Sequence, residues 1–363
     1  VYVFANTVDS TTITFRKSQA ATALTVTYGV SETGIKEDIS NTVTVTATDE
    51  VDYEVVTTAT AGSTSITFRA MAVKFAPTTT SDCVSKLAVS SGAVNTASVT
   101  RYYSPNGTAT VLIAETFTKY RIRGTFTSSD FYVYVSSNSR TTNTIFRTRK
   151  NGVDGGQSVT YGNVETGAKE DTTGSDSLVA GDDFNYAFVT DTGTGTLIVE
   201  IISCSLINTN AQFILLDASN TASVSFNITT YTACAGKLNF NTTEINSQIY
   251  PRFTFTAKEL GVMVSANTIA TSASTITLRD NGADSSLTVS YAAAETGLKL
   301  DSVNTAEITS GIDEIDYKVV TPNTSGTITF TLIWIIWDTT AGGASYTRSL
   351  TGTVNLTGVN TFL

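Results

Sequence analysis

The feature that most constrains the fold is a cassette that occurs three times along the chain. Each copy carries an arginine, a tyrosine and a glutamate: Arg16, Tyr28 and Glu32; Arg149, Tyr161 and Glu165; Arg279, Tyr291 and Glu295. Arginine to tyrosine is twelve residues in every copy (28−16, 161−149, 291−279), and tyrosine to glutamate is four (32−28, 165−161, 295−291). Because self-similarity at a fixed spacing marks a repeated structural unit, we expect three copies of one domain type.

Within the cassette, apolar residues alternate with threonine and serine, as in Leu24 to Tyr28 and Thr42 to Thr46. This period of two predicts half-buried β-strands. Asn151-Gly152 and Asn281-Gly282 separate two such strands, and Asn-Gly is typical of tight hairpin turns. No stretch keeps a helical period over three turns. The sequence therefore predicts an all-β protein with minimal helix.

Unit boundaries follow from Val1-Tyr2-Val3, which matches Val133-Tyr134-Val135 and Val262-Met263-Val264. The predicted repeats are residues 1–132, 133–261 and 262–363. About eight strands per repeat, in two sheets, is a jelly-roll-type count. We expect three tandem jelly-roll-like β-sandwich repeats, of which the first lacks its first strand and the third is truncated.

The C-terminal strand has no obvious partner within its own repeat. Residues 350–356 resemble residues 122–126, the strand that precedes the second repeat, and no strand precedes Val1. Since an unpaired sheet edge is sticky, the edge requires a cover. The segment 346–363 could close onto its own chain, pack locally, or complete the first sandwich of a neighbouring copy. We favour donation to a neighbour, which would give a head-to-tail filament.

The strand from Phe330 to Trp337 is apolar on both faces, so both faces should be buried. One face has its own core, and the other should be covered by another repeat, by another subunit or by the loops of its own sandwich. Together with the two chain ends, this strand supplies the predicted assembly interface: Val1, Tyr2, Val3, Trp334, Ile336, Trp337, Leu350, Gly352, Val354 and Leu356.

Catalysis is disfavoured by composition. The chain has no histidine, which removes Ser-His-Asp and Cys-His schemes. The recurrent Arg16, Glu32 and Asp38 predict structural pairing, because an enzyme rarely repeats its site on three similar domains. Acidic clusters recur at Asp49 to Asp52, Asp182-Asp183 and Asp313 to Asp316; we interpret them as turn carboxylates, with Ca²⁺ binding as the alternative. We expect no enzyme activity and no cofactor.

Partners and location follow from charge and short motifs. A net charge of −10 disfavours nucleic acid, and no apolar run is long enough to span a membrane. The chain opens with Val1 inside a repeat, which indicates an upstream segment, and an exported protein is expected. Cys83, Cys204 and Cys234 are too few for a disulfide framework: Cys204 should be a buried thiol, although one disulfide remains an alternative. Acceptor triplets for N-glycosylation begin at Asn106, Asn227, Asn241, Asn323 and Asn355.

The cassette is clearest from Asp280 to Thr321, where Asn-Gly, Leu-Thr-Val-Ser-Tyr, Glu-Thr-Gly and an acidic turn follow in order. In this it resembles β-sandwich repeats of phage structural proteins and of bacterial and archaeal surface proteins. The resemblance implies a structural or attachment role. We therefore predict a non-enzymatic, homopolymeric subunit of an extracellular filament or cell-surface polymer. The alternatives are a virion protein, as head decoration or tail fibre, and a glycan-binding adhesin.

Overall fold

The structure is a computed structural model of the 363-residue chain. It describes residues 1–46, 49–58, 65–73, 83–90, 93–94, 98–105, 107–108, 114–122, 124–208, 212–234, 236–237, 239–249, 251, 254–309, 312–338, 346–348, 352–355 and 361–362. The described residues form strands and two short 3₁₀ turns, with no α-helix among them. The prediction of an all-β protein is confirmed.

The strands are labelled in chain order. The first six are β1 (Tyr2–Asn6), β2 (Ser10–Lys17), β3 (Ala20–Tyr28), β4 (Gly34–Ile35), β5 (Val51–Thr58) and β6 (Ser65–Val73). The next group is β7 (Cys83–Ser90), β8 (Ala93–Val94), β9 (Val99–Tyr103), β10 (Gly107–Thr108), β11 (Tyr120–Arg121), β12 (Phe126–Asn138), β13 (Thr144–Lys150), β14 (Val153–Tyr161), β15 (Gly167–Asp171), β16 (Asp176–Leu178), β17 (Asp183–Thr190) and β18 (Leu197–Asn208).

The remaining strands follow the same plan. They are β19 (Gln212–Ser225), β20 (Thr229–Thr232), β21 (Gly236–Lys237), β22 (Phe255–Asn267), β23 (Ser274–Asp280), β24 (Ala283–Tyr291), β25 (Gly297–Asp301), β26 (Ala306–Ile308), β27 (Ile315–Val320), β28 (Thr327–Asp338), β29 (Tyr346–Arg348), β30 (Gly352–Asn355) and β31 (Thr361–Phe362). The 3₁₀ turns are η1 (Glu115–Phe117) and η2 (Glu244–Asn246).

The chain divides into two compact units, Val1–Ala72 with Arg348–Leu363, and Val73–Thr347. The first unit is a sandwich of two sheets. Sheet A1 has five strands, in the order β29-β6-β1-β4 with β30 also paired to β6, and sheet B1 has the order β3-β2-β5-β31. The core between them includes Val3, Ile13, Tyr28, Val55 and Phe68, all nearly inaccessible to solvent.

The second unit contains two further sandwiches. The second sandwich pairs sheet A2, in the order β10-β7-β18-β12-β15, with sheet B2, in the order β11-β17-β13-β14. The third pairs sheet A3, in the order β21-β19-β28-β22-β25, with sheet B3, in the order β20-β27-β23-β24. Each of these sandwiches has a continuous apolar core built from both of its sheets.

The sandwiches are out of phase with the sequence repeat. The predicted boundaries at 132/133 and 261/262 fall inside β12 and β22. Strand β7 follows β6 in the chain but pairs with β18, and β19 follows β18 but pairs with β28. Each of these sandwiches is therefore completed by strands that continue directly from the last long strand of the sandwich before it.

The cassette tyrosine ties the two sheets of each sandwich together. The Tyr161 hydroxyl donates toward the carbonyl of Val133, at 2.7 Å, and that of Gly167, at 2.9 Å. Tyr28 and Tyr291 make the equivalent contacts. Burial raises the pKa of all three phenols well above its usual range, so the hydroxyls keep the proton that they donate.

The cassette carboxylates close turns, as the sequence predicted. Glu165 Oε2 accepts a hydrogen bond from the Gly162 backbone N–H at 2.8 Å, and its copies do the same. Hydrogen bonds from the Thr46 N–H and hydroxyl lower the pKa of Asp49 to about 2. These hydrogen bonds stabilise the turns in which the carboxylates lie.

Candidate assembly site

The C-terminal segment adds strands to both sheets of the first sandwich: β29 and β30 to sheet A1, and β31 to sheet B1. In sheet A1, β30 runs antiparallel to β6, with Gly352 opposite Phe68 and Val354 opposite Ile66. In sheet B1, β31 runs antiparallel to β5, with Thr361 opposite Val55 and Phe362 opposite Glu54. A single short segment thus completes both layers of the sandwich.

An asparagine that is present in every sandwich allows the three registers to be compared. Its side-chain amide donates to two backbone carbonyls of the cassette turn in each case, through Asn6, Asn138 and Asn267. The residues opposite these asparagines on the long strand are Ile66, Leu197 and Ile328. These three aliphatic residues therefore hold equivalent positions on β6, β18 and β28.

A valine lies on the other side of each of these aliphatic residues. Val94 of β8 pairs with Leu197, Val224 of β19 pairs with Ile328, and Val354 of β30 pairs with Ile66. On the second sheet, an aromatic residue takes the equivalent place in each sandwich: Tyr102, Tyr231 and Phe362. The C-terminal segment therefore occupies the place that β8–β9 and β19–β20 occupy in the other sandwiches.

This counterpart differs from the one that the sequence comparison suggested. The sequence suggests residues 122–126 as the counterpart of residues 350–356, whereas the structure relates residues 353–354 to residues 93–94 and 223–224. A sequence signal for this exists: Gly92-Ala93-Val94-Asn95 and Gly352-Thr353-Val354-Asn355 share three of four residues. The aromatic residue follows the valine by eight positions in both segments (102−94, 362−354) and by seven in the other (231−224).

The open edge also lies elsewhere than expected. We placed it before Val1, but β1 is an interior strand that pairs with β4 on one side and β6 on the other. The Val1 ammonium donates to the Lys36 carbonyl at 2.9 Å, and Val3 is fully buried. The backbone of Tyr2 lies in β1. The strand that completes sheet A1 is added beside β6.

The part of the chain that enters a sandwich from the preceding one, and that includes η1 or η2, is called the incoming segment. In the second and third sandwiches, an arginine–glutamate pair secures it. Arg149 donates to both carboxylate oxygens of Glu115, at 2.9 and 3.2 Å, and Arg279 does the same to Glu244, at 2.8 and 3.2 Å. Glu115 and Glu244 lie in η1 and η2, on the incoming segments. Bidentate ion pairs of this kind are stronger and more directional than single contacts. The copy in the first sandwich, Arg16, forms an ion pair with Asp52 at 3.9 Å.

The strand predicted to be buried on both faces, Phe330 to Trp337, is buried on both faces from Phe330 to Ile335. Trp334 is fully buried and meets the ring of Tyr120 edge-on, with 5.7 Å between centroids. Leu332 and Met263 join the same core cluster, which belongs mainly to the second sandwich, and the half-buried Ile336 packs against it. The partner of this face is thus another repeat of the same chain. The Trp337 side chain lies outside the described residues.

The remaining predicted residues are placed as follows. Leu350 and Leu356 lie outside the described residues, as does the glycosylation acceptor Asn106. Asn227 and Asn323 are exposed, Asn241 is half-buried, and Asn355 lies in β30. Cys204 is a buried thiol, as expected, with the Tyr186 hydroxyl 3.2 Å from its sulfur, and Cys234 is also buried. The Cys83 side chain is outside the described residues.

The described part of the chain holds no group of three or more histidine, cysteine, aspartate or glutamate side chains placed to share a metal ion. It also holds no helix of the length and hydrophobicity that a bilayer-spanning segment requires.

No protein-family model and no curated protein matches the sequence. A xanthan lyase structure from Paenibacillus matches 86% of the chain at 16% identity with a TM-score of 0.20, and the chain spans 28% of its length. An anti-sigma factor domain-containing protein matches 64% of the chain at 10% identity with a TM-score of 0.15, over 79% of its own length.

Proposed function

We propose that this chain is a non-enzymatic structural subunit that polymerises head-to-tail outside the cell. In the polymer, residues 346–362 of one copy complete the first sandwich of the next copy. The observation that carries the proposal is the shared register: Val354 lies opposite Ile66 as Val224 lies opposite Ile328.

The direction of strand transfer within the chain supports assembly between copies. Strand β7 continues from the first sandwich and completes the second, and β19 continues from the second and completes the third. Every internal transfer therefore runs forward, from one sandwich to the next. A forward transfer from the third sandwich leads to the first sandwich of a following copy, and repetition of this contact gives an open filament.

The C-terminal segment can pair with its own copy or with a neighbouring copy, because the position beside β6 and β5 is the same in both cases. An isolated chain fills the position with its own segment, which is always nearby. At high protein concentration, a neighbour's segment competes for it, as in domain swapping. Polymerisation therefore costs no native contact at the site, since each intrachain strand pairing is replaced by an identical interchain pairing.

Location outside the cell is supported by surface chemistry. Two acceptor triplets for N-glycosylation, at Asn227 and Asn323, are exposed and lie in turns, where a glycan can be attached without disturbing a core. The net charge of −10 keeps the subunits soluble before assembly.

Cysteine cross-linking at the paired positions Thr67 and Thr353 separates the two arrangements. Directly opposed residues of an antiparallel pair have Cβ atoms close enough for a disulfide. Two single variants, Thr67→Cys and Thr353→Cys, are made in a Cys83→Ser background, mixed at high concentration and oxidised. Interchain donation predicts a disulfide-linked heterodimer, and the double variant should give a ladder of covalent oligomers.

The matched control moves the second cysteine out of register, to Thr361, which is paired with β5 and not with Thr67. Mixtures of Thr67→Cys with Thr361→Cys should give no heterodimer. If the double Thr67→Cys/Thr353→Cys variant yields only intrachain cross-links at every concentration, and electron microscopy shows discrete monomers, the polymer proposal fails.

A further inference from the structure

One position, equivalent in sheets B1, B2 and B3, differs among the three sandwiches although their folds are alike. It lies opposite the cassette arginine and is occupied by Asp52, Asn185 or Asp316. Because the surrounding strands are equivalent, the environments of the three residues can be compared directly.

In the second sandwich, this position joins the incoming segment to the sheet. The Asn185 amide is 1% exposed and donates to the Thr118 hydroxyl at 2.8 Å. Thr118 directly follows η1, on the incoming segment. In the first sandwich, Asp52 is open to solvent, with its side chain 39% exposed, and it forms an ion pair with Arg16.

In the third sandwich, the same position holds a buried carboxyl group. Asp316 is 0% exposed, and neither of its oxygens has a hydrogen-bond partner among the described residues. An ionised carboxylate in such a site loses its hydration without compensation, whereas the neutral acid is tolerated.

Two acidic groups near Asp316 also favour its neutral form. The pKa of Asp316 is raised to about 8, mainly by burial; repulsion from Glu244 and Glu314 acts in the same direction, and the attraction of Arg279 and Lys318 acts against it. The incoming segment contributes Glu244 together with Cys234 and Tyr231, both of which interact electrostatically with Asp316. The site therefore spans the junction between the incoming segment and the sheet.

A second position carries an acidic residue in the third sandwich where the first two sandwiches have a lysine. Lys17 and Lys150 pair with Asp49 and Asp182, each at 3.1 Å, in the first two sandwiches. The equivalent residue of the third sandwich is Asp280. Burial raises the pKa of Asp280, and repulsion from Asp313 contributes to the increase. The third sandwich therefore replaces a fixed ion pair with two acidic side chains.

We propose that Asp316 is a pH-sensitive switch, which in its protonated form holds β20 and η2 on the third sandwich and in its ionised form releases them. In the second sandwich, Asn185 holds the equivalent junction at every pH, because its amide does not titrate. The proposal is independent of polymerisation, because it concerns a contact inside one chain.

The sign of the pH dependence follows from linkage. Once the segment opens, Asp316 is solvated and ionises at its ordinary low pKa, whereas in the closed form it stays protonated to a higher pH. The equilibrium constant for opening therefore rises about tenfold per pH unit between these two pKa values, and is constant above and below them. The junction is tightest in acid and loosest in mild alkali.

Hydrogen exchange followed by mass spectrometry tests the switch in the whole chain. The reporter is β20, whose residues 229–232 pair with β27. The internal control is β9, which pairs with β17 beside Asn185. After correction for intrinsic exchange rates, β20 protection should fall about tenfold per pH unit from pH 5 toward pH 8, while β9 protection stays constant.

Two reciprocal variants assign the effect. Asp316→Asn should give β20 a flat profile, and Asn185→Asp should give β9 the slope that β20 has in the wild type. Equal pH profiles for β20 and β9 in the wild-type chain would overturn the proposal, and this comparison needs no variant to fold. A slope that persists in Asp316→Asn, or that disappears in Asp280→Lys instead, would overturn the assignment to Asp316.

Discussion

Replacing Gly261 by alanine should destabilise the third sandwich, because the added methyl group has no space. A Cβ atom at Gly261 would lie 2.1 Å from Trp334 Cε2 and 2.2 Å from Cζ2. Carbon atoms in contact are separated by ~3.5–4.0 Å, so the ring would have to retreat by at least ~1.4 Å. Tyr120 packs against the same ring and restricts that movement.

The magnitude follows from this overlap. Overpacking a well-filled core costs ~1–3 kcal/mol, and the rigid, fully buried indole places Gly261→Ala near the upper end, at ~3 kcal/mol. Removing the ring by Trp334→Ser leaves a cavity and should cost ~3–5 kcal/mol. The second sandwich shows how the two positions compensate, since Tyr132 lies opposite Ser203 there, whereas Gly261 lies opposite Trp334.

The double variant Gly261→Tyr/Trp334→Ser copies the arrangement of the second sandwich into the third. Its loss of stability should be smaller than the sum of the single losses by ~1–3 kcal/mol, since the two side chains share one space. Denaturant unfolding followed by tryptophan fluorescence measures this selectively, because both tryptophans of the chain, Trp334 and Trp337, lie in β28.

Two results would refute the reasoning. A loss below ~0.5 kcal/mol for Gly261→Ala would be typical of an unconstrained surface site and would mean that the ring has room to move. Strict additivity of the Gly261→Tyr and Trp334→Ser effects would mean that these side chains do not occupy one space.

Three further outcomes are expected. Glu244→Gln should destabilise the third sandwich by ~1.5–3 kcal/mol through loss of the bidentate Arg279 contact. Glu307→Gln, whose amide oxygen can still accept the exposed bond from the Thr256 hydroxyl, should have little effect in the same fluorescence assay. Tyr291→Phe leaves the Val262 and Gly297 carbonyls without the phenol donor and should cost ~1–2 kcal/mol; an unchanged denaturation midpoint would contradict this. Burial raises the pKa of Asp301, but hydrogen bonds from Asn304 and from the Thr288 N–H outweigh it and lower the pKa. The contribution of Asp301 to stability is therefore present above its usual pKa and lost on acidification. Asp301→Asn should flatten this part of the dependence of stability on acid pH, and an unaltered profile would exclude the role.

Much of the fold could be predicted because its signals are local. Alternating apolar residues around Leu287 and Val289 suffice to indicate a strand with one buried face, and Asn281-Gly282 suffices to indicate the turn before it. Tyr291 and Glu295 recur at constant spacing because the turn that they close is only a few residues long. Their structural role could therefore be predicted from the sequence.

The pairing of the completing strands could not be predicted from the same signals. Val94, Val224 and Val354 each lie far along the chain from their partners, and alternation says only that a residue is in a strand. The Gly-x-Val-Asn similarity between residues 92–95 and 352–355 was present in the sequence. Local similarity alone does not distinguish a strand at a repeat boundary from an interior strand.

The sequence by itself determined that this protein is built from three related β-sandwiches, since repetition and alternation depend only on the order of residues. Only the tertiary structure decided which strands complete which sandwich, where the large side chain of each opposed pair is placed, and that the carboxyl group of Asp316 is buried without a partner. These properties depend on contacts between distant parts of the chain. Asp52 and Asp316 have the same side chain at equivalent positions, but Asp52 is partly exposed beside Arg16, whereas Asp316 is fully buried.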